Sequence, residues 1–188
     1  MPVVAVFGAS VAEPGSALWS DAVRCGRLLA EAGITVATGG YGGVMEAVSE
    51  GAATAGGRVI GVTAPSVFPG RPGANGYVSV EHPSPTIGAR IAQLIEIADA
   101  CIALPGSLGT ATELLVAWNY AYVARFSGRG PDPVFAVGEP WVTLVPVLAE
   151  GLGVAMDIVT VVADVEEATA AVVRRLSPGG AVPRQAGP

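Results

Sequence analysis

Lysine is missing from this 188-residue chain: all ten of its basic residues are arginine. That excludes a Walker-type P-loop, whose lysine has to reach the phosphates of the nucleotide. It equally excludes any enzyme that holds pyridoxal phosphate as a lysine Schiff base. Histidine is reduced to His82, and cysteine to Cys25 and Cys101. No Cys/His cluster with metal-ligand spacing and no disulfide framework can be built from so few, so neither a metal nor a cofactor is expected. Long apolar runs are lacking too, none approaching the roughly 18 residues of a spanning helix. The chain enters strand-like Val3–Phe7 directly, without the regions of a signal peptide, so a cytoplasmic protein that stays off membranes is expected. A net charge of −6 leaves no room for the clustered basic face of a nucleic-acid binder.

What is present is apolar and rich in glycine: 51% hydrophobic residues and 26 glycines, as buried strands and tight turns require. The length suits one domain, expected over residues 1–176, followed by a Pro/Gly-rich disordered tail over 177–188. Strands are expected at Val3–Phe7, Ile34–Ala37, Val59–Val62, Tyr77–Val80, Ala100–Leu104, Pro133–Val137 and Ile158–Val162. Helices are expected over Ala17–Ala32, Val44–Ala55, Thr86–Ala98, the stretch from Thr110, Trp141–Glu150 and Val165–Leu176. Ala64–Gly76, with three prolines and three glycines, is the longest loop. Such alternation predicts an α/β fold, a doubly wound, mostly parallel sheet with helices on both faces. Ligands of such sheets lie outside the carboxyl ends of the strands.

The most informative stretch is Ala100–Glu113. A buried strand breaks at Pro105-Gly106, and a turn through Ser107, Leu108 and Gly109 feeds a helix with Leu114, Leu115 and Trp118. Free amides and the helix dipole make such a helix start an anion site. Arg90, fifteen residues before Pro105, and Glu113, eight after it, place a guanidinium and a carboxylate on either side of that cradle. The combination points to chemistry on a phosphorylated substrate. A second glycine cluster, Gly39, Gly40, Gly42 and Gly43, predicts a second cradle facing the first across one cleft. The first strand is followed by Gly8-Ala9-Ser10 instead of GxGxxG, and no acidic residue ends the second strand. A mononucleotide therefore fits better than a dinucleotide. Ser10 and Glu46 join the candidate nucleotide-binding residues, Glu46 either as a ribose ligand or as a favourable charge at a helix start.

At these residues the chain resembles a known family. Pro105-Gly106-Ser107-Leu108-Gly109-Thr110-Ala111-Thr112-Glu113 is similar to the PGGxGTxxE signature of the LOG (Lonely Guy) proteins, a group that also carries a lysine decarboxylase label. Thr38–Glu46 resembles the first glycine run of the broader group, in a form nearer a sister branch that includes molybdenum-cofactor carriers. Ser107 stands where the family has its second glycine, and Ile91 where it has a lysine after the arginine. The resemblance spans about residues 3–176. It implies a Rossmann-like, usually dimeric protein that hydrolyses nucleoside 5′-monophosphates, cytokinin nucleotides above all, to free base and ribose 5-phosphate. The alternative is a nucleotide or molybdenum-cofactor carrier of the same fold.

For hydrolysis, Glu113 would stabilise positive charge at C1′ and act as base toward water. Gly106, Ser107, Leu108, Gly109 and Thr110 would anchor the 5′-phosphate. Arg90 cannot serve as a general acid and would either grip the phosphate bidentately or restrain Glu113. Structural alternatives stand beside these roles. Thr110-x-x-Glu113 and Asp164-x-x-Glu167 both read as capping boxes. Trp118 and Tyr122 read as core or as a contact between the subunits of a homodimer.

Overall fold

Val, Ile and Ala dominate most of the short runs between glycine-bearing turns, and runs of that kind form strands buried on both faces. In the computed structural model, which describes residues 1–71, 73–126 and 132–177, they do. The strands are β1 (Val3–Phe7), β2 (Thr35–Thr38), β3 (Val59–Thr63), β4 (Val80–Pro83), β5 (Ala100–Ala103), β6 (Val134–Val137) and β7 (Val159–Val162). They form one sheet in the order β4-β3-β2-β1-β5-β6-β7. Every neighbouring pair is parallel, with Val4 opposite Ala100 and Phe7 opposite Ala103 at the centre.

The helices are α1 (Ala17–Glu31), α2 (Val44–Thr54), α3 (Ile87–Glu96), α4 (Leu108–Ala124), α5 (Trp141–Leu152) and α6 (Val165–Leu176). Side chains of β1 alternate between two cores. Val4 and Val6 pack under α1, α2 and α6, while Ala5 and Phe7 pack under α3, α4 and α5. The doubly wound parallel sheet expected from the alternation is thus present. No described helix is long and apolar enough to cross a membrane.

One strand is displaced from its expected place. Tyr77–Val80 is mostly loop, and β4 runs over Val80–Pro83, pairing Ile60 with Val80 and Thr63 with Pro83. An edge strand buries little, so its residues (Val80, Glu81, His82, Pro83) show no apolar run. At its end the edge also tolerates a proline without an N–H to donate. The tail expected over 177–188 lies, beyond Ser177, outside the described residues.

Strand order reverses at β1: β2, β3 and β4 extend to one side, β5, β6 and β7 to the other. The chain segments leaving β1 and β5 therefore part company between Phe7 and Ala103 and open a crevice at the carboxyl edge. Leu104 N–H donates to the Phe7 carbonyl (2.9 Å) and Ala9 N–H to the Pro105 carbonyl (3.2 Å), which ties the two turns together beneath it.

Candidate functional site

The crevice is a cleft of about 220 Å³ floored by Gly8, Arg90, Ile91 and Glu113. Its rim brings together Ser10, Ser107, Gly109 and Thr110 with Phe68 and Arg71. The second glycine run, the first serine turn and the Arg90–Glu113 pair thus meet at one place.

Helix α4 starts earlier than the sequence predicts. Ser107 is its N-cap in extended backbone and contributes no side-chain cap, so Leu108, Gly109 and Thr110 fill the first three helical positions. Their amides are three of the four that an α-helix leaves without an internal partner, while Ala111 N–H returns to the Ser107 carbonyl (2.9 Å). No acidic residue occupies this first turn. Leu108, 82% exposed, contributes backbone only. The Thr110–Glu113 capping box is overturned, because Thr110 already lies inside the helix and Glu113 reaches elsewhere. Asp164 does cap α6: it accepts from Glu167 N–H (2.8 Å), and Glu167 accepts from Ala163 N–H (3.0 Å).

Glu113 turns into the cleft, its carboxylate 3.3 Å from Arg90 Nη1. Burial pushes its pKa up to about 7, although the Arg90 charge and hydrogen bond pull the other way. Arg90 projects from the second turn of α3 and is only 7% exposed. Its Nε–H donates to the Val62 carbonyl (2.8 Å) and Nη2–H to the Gly39 carbonyl (3.0 Å), with Met45 Sδ at 3.6 Å. With those groups engaged, a bidentate grip on phosphate is ruled out. The Arg90 Nη1 group is paired with Glu113, the contact that the restraint reading needs, and one Nη1 proton is left for the cleft.

The first glycine run does not face the second across the cleft. A Cβ on Gly39 would collide with the Arg90 guanidinium, and one on Gly43 with the backbone of Ala9 and Ser10. Ala9 in turn accepts from Val44 N–H (2.8 Å), so the start of α2 is partly closed by the β1 turn. Gly40 holds the long loop: its carbonyl accepts from the backbone N–H (2.7 Å) and the side-chain Nδ2 (3.2 Å) of Asn75. Gly42 does not line the cleft either. Glu46 stands in the first turn of α2, where its charge suits the helix dipole, and with Gly43 it borders a second, more open hollow beside Trp19 and Tyr77 that meets the cleft at Ser10. This first-turn position is the one that the helix-start reading of Glu46 calls for.

Phe68 and Arg71, both in the 64–76 loop, belong to the cleft although no motif marks them. Only the closure of that loop on Gly40 and Tyr41 brings them in, and Ala64 N–H donating to the Tyr41 hydroxyl (2.8 Å) fixes its start. His82 lies away from the cleft, 3.5 Å from Gln93. Leu114 and Trp118 are core residues, the Trp118 indole N–H lacking a partner, whereas Leu115, Tyr120 and Tyr122 face outward. A charge at Trp118 would therefore disrupt the core itself.

A model of the SLOG cluster4 family matches residues 1–125, a span holding both glycine runs, Arg90 and Glu113. An uncharacterized protein of Archaeoglobus fulgidus is 33% identical over 97 residues, 51% of this chain and 61% of that one. The chain thus spans about three fifths of that relative's length. The molybdenum cofactor carrier protein of Chlamydomonas reinhardtii shares the fold at a TM-score of 0.71 and 26% identity, over 94% of this chain and 99% of that one. The molybdenum cofactor binding protein of Rippkaea orientalis shares it at 0.72 and 24%, over 91% and 94%.

Proposed function

The chain belongs to the SLOG cluster4 family, and from that premise and the cleft together we propose that it binds a small phosphorylated heterocycle. The ligand class is a nucleoside 5′-monophosphate or a pterin-type cofactor carried as cargo; nucleic acid is not the partner. One observation carries this reading: Leu108, Gly109 and Thr110 present their amides at the head of a helix whose first turn holds no acidic residue, and Gly109 and Thr110 line a cleft at the sheet's switch point. The phosphate belongs there, within reach of the Ser10 and Ser107 hydroxyls.

The likeness to molybdenum cofactor carriers supports the cargo sense. The residues present fit a pterin held through its phosphate and not through its metal. Cys25 and Cys101 are fully buried in the core, burial pushes both thiols up to about 12, and neither lines the cleft. No protein thiolate is placed to ligate molybdenum.

A second reading, hydrolysis of the N-glycosidic bond of a nucleoside 5′-monophosphate, cytokinin-type included, is favoured by Glu113. A carboxyl in the cleft with a pKa near neutrality can hold a water and take its proton. Water would bond to C1′, the C1′–N bond would break, and the departing base would leave with its electron pair and take up a proton. Ionised Glu113 would stabilise the positive C1′ at the transition state. Arg90 would keep that carboxylate aimed, and has no proton to give.

The homodimer implied by the family resemblance belongs to this proposal as well. Leu115, Tyr122 and Val123 lie on the outer side of α4, with Phe126 just beyond its end and 76% exposed, and a symmetric contact would cover them close to both clefts.

A panel of nucleoside 5′-monophosphates, cytokinin nucleotides among them, separates the readings when binding is followed by calorimetry and free base by chromatography. Binding without base release is the expected outcome for a carrier. Base release that falls at least about a hundredfold in Glu113→Gln would establish the hydrolase. Failure of every phosphorylated probe to bind overturns both.

A further inference from the structure

Two arginines border the cleft, and they are held in opposite ways. Arg90 has its donors committed to backbone carbonyls and to Glu113. Arg71 makes no ion pair and no side-chain hydrogen bond among the described residues. It is instead lodged in a corner of two aromatic rings, with its guanidinium carbon 4.7 Å from the Tyr41 centroid and 4.6 Å from that of Phe68. The rings meet edge-on, their centroids 5.6 Å apart and their planes at 76°. Contact with a ring face restrains a guanidinium through its charge and its plane, and leaves the N–H groups at its edge unspent.

The corner is itself rigid. Tyr41 is buried, and its hydroxyl is fixed by Ala64 N–H at 2.8 Å. The Arg71 backbone N–H donates to the Phe68 carbonyl (2.9 Å), which closes a turn around the ring that holds its own side chain. The loop is therefore shaped to display one cation at the cleft. Arg90 is paired with Glu113, so Arg71 is the cation of the cleft that has no carboxylate partner among the described residues. On a chain of net charge −6, such a cation is the local attractor for an anion.

We propose that Arg71 is the residue that reads the ligand's phosphate charge, taking the bidentate role that the restraint of Arg90 denies to that side chain. This rests on the phosphate-binding reading given above. A pre-oriented fork loses little freedom when it pairs with two phosphate oxygens, and it distinguishes a dianionic phosphate monoester from its uncharged parent nucleoside. Arg71 is accordingly a specificity-determining residue with no part in bond breaking.

Calorimetric titration of the full-length protein with AMP, adenosine and ribose 5-phosphate tests this, using wild type, Arg71→Gln and Arg71→Lys. Wild type is expected to prefer AMP to adenosine by a wide margin and to bind ribose 5-phosphate. Arg71→Gln should weaken AMP and ribose 5-phosphate by about tenfold or more while leaving adenosine unchanged. Its AMP affinity should also depend less on salt than that of wild type. Arg71→Lys keeps the charge but loses the planar fork, so it should recover only part of the loss. Both variants should stay folded, with the thermal midpoint lowered by no more than a few degrees, since Arg71 is a partly exposed loop residue whose side chain contributes ring contacts but no hydrogen bond or ion pair among the described residues. An Arg71→Gln protein that retains the full preference for AMP overturns the role of Arg71 and leaves the phosphate reading standing. A wild type that binds adenosine as well as AMP overturns the phosphate reading itself.

Discussion

Two glycine runs follow the two strands that flank β1, and at the level of sequence they look interchangeable. In the folded chain Gly39, Gly40 and Gly43 press against packed neighbours, whereas Gly109 faces open space; Gly106 is packed against the Thr110 side chain. A side chain at Gly39 would meet Arg90, and one at Gly43 would meet the turn after β1, whereas a Cβ on Gly109 would meet nothing within 4 Å. The helices they introduce differ in the same sense. The first turn of α2 already holds an anion, Glu46, while that of α4 holds none. Glycine serves close packing at Gly39 and Gly43, and leaves the helix start uncovered at Gly109. A glycine-rich turn before a helix is therefore an anion site only where the helix start is left open and uncompensated.

The comparison breaks most visibly at Gly39. Gly39→Ala drives a methyl into a guanidinium that three fixed partners prevent from moving aside. A loss of about 3 kcal/mol is expected in urea unfolding, together with loss of ligand binding as Arg90 and Glu113 are displaced.

Glu113 gives the next largest effect, and a pH-dependent one. Its folded pKa of about 7 lies above the ordinary carboxylate value, so the folded state binds a proton that the unfolded chain releases. That contribution is complete below about pH 4.5 and is lost as pH rises toward and through 7, the unfolded state binding fewer protons across the interval. Wild-type stability should fall by about 2 kcal/mol relative to Glu113→Gln across that range, part of the shift being discounted for the solvent the cleft admits. Denaturation midpoints at a series of pH values check it; parallel curves for the two proteins would show that Glu113 is not the titrating group. Any base release would show the opposite trend, rising with pH as Glu113 ionises.

Gly109→Ala is the mildest change and sharpens the contrast with Gly39→Ala. Alanine is the better helix former, so stability should hold or rise by up to about 1 kcal/mol. Affinity for ribose 5-phosphate should nonetheless drop, because the added methyl stands in the space over the open amides. Unfolding and calorimetry on the same sample check the pair of effects.

These differences mark how far the sequence could be read. The parallel sheet was legible because apolar runs and glycine turns alternate along the whole chain, and β4 slipped only because an edge strand holding His82 and Pro83 has no apolar signature. Arg90, Glu113 and the turn at Gly106–Thr110 were legible through their spacing. The start of α4 was set two residues late, since Thr110 looks like a cap and the extended backbone that makes Ser107 the N-cap is invisible in composition. The roles of Gly39 and Gly43 depend on what packs against them, Arg90 from fifty residues away and Ser10 from another turn. Phe68 and Arg71 sit in a proline- and glycine-rich loop with no periodicity. They join the site through Asn75 bonding Gly40 and Tyr41, a contact formed only when the sheet is assembled.

Whether phosphate rests on the second glycine turn and not on the first is tested residue by residue by amide chemical shifts of 15N-labelled protein titrated with ribose 5-phosphate. The account predicts that the Leu108, Gly109 and Thr110 amides move together and saturate while those of Gly40, Gly42 and Gly43 stay in place. Saturable shifts at Gly40, Gly42 and Gly43, with the α4 amides unmoved, would contradict it.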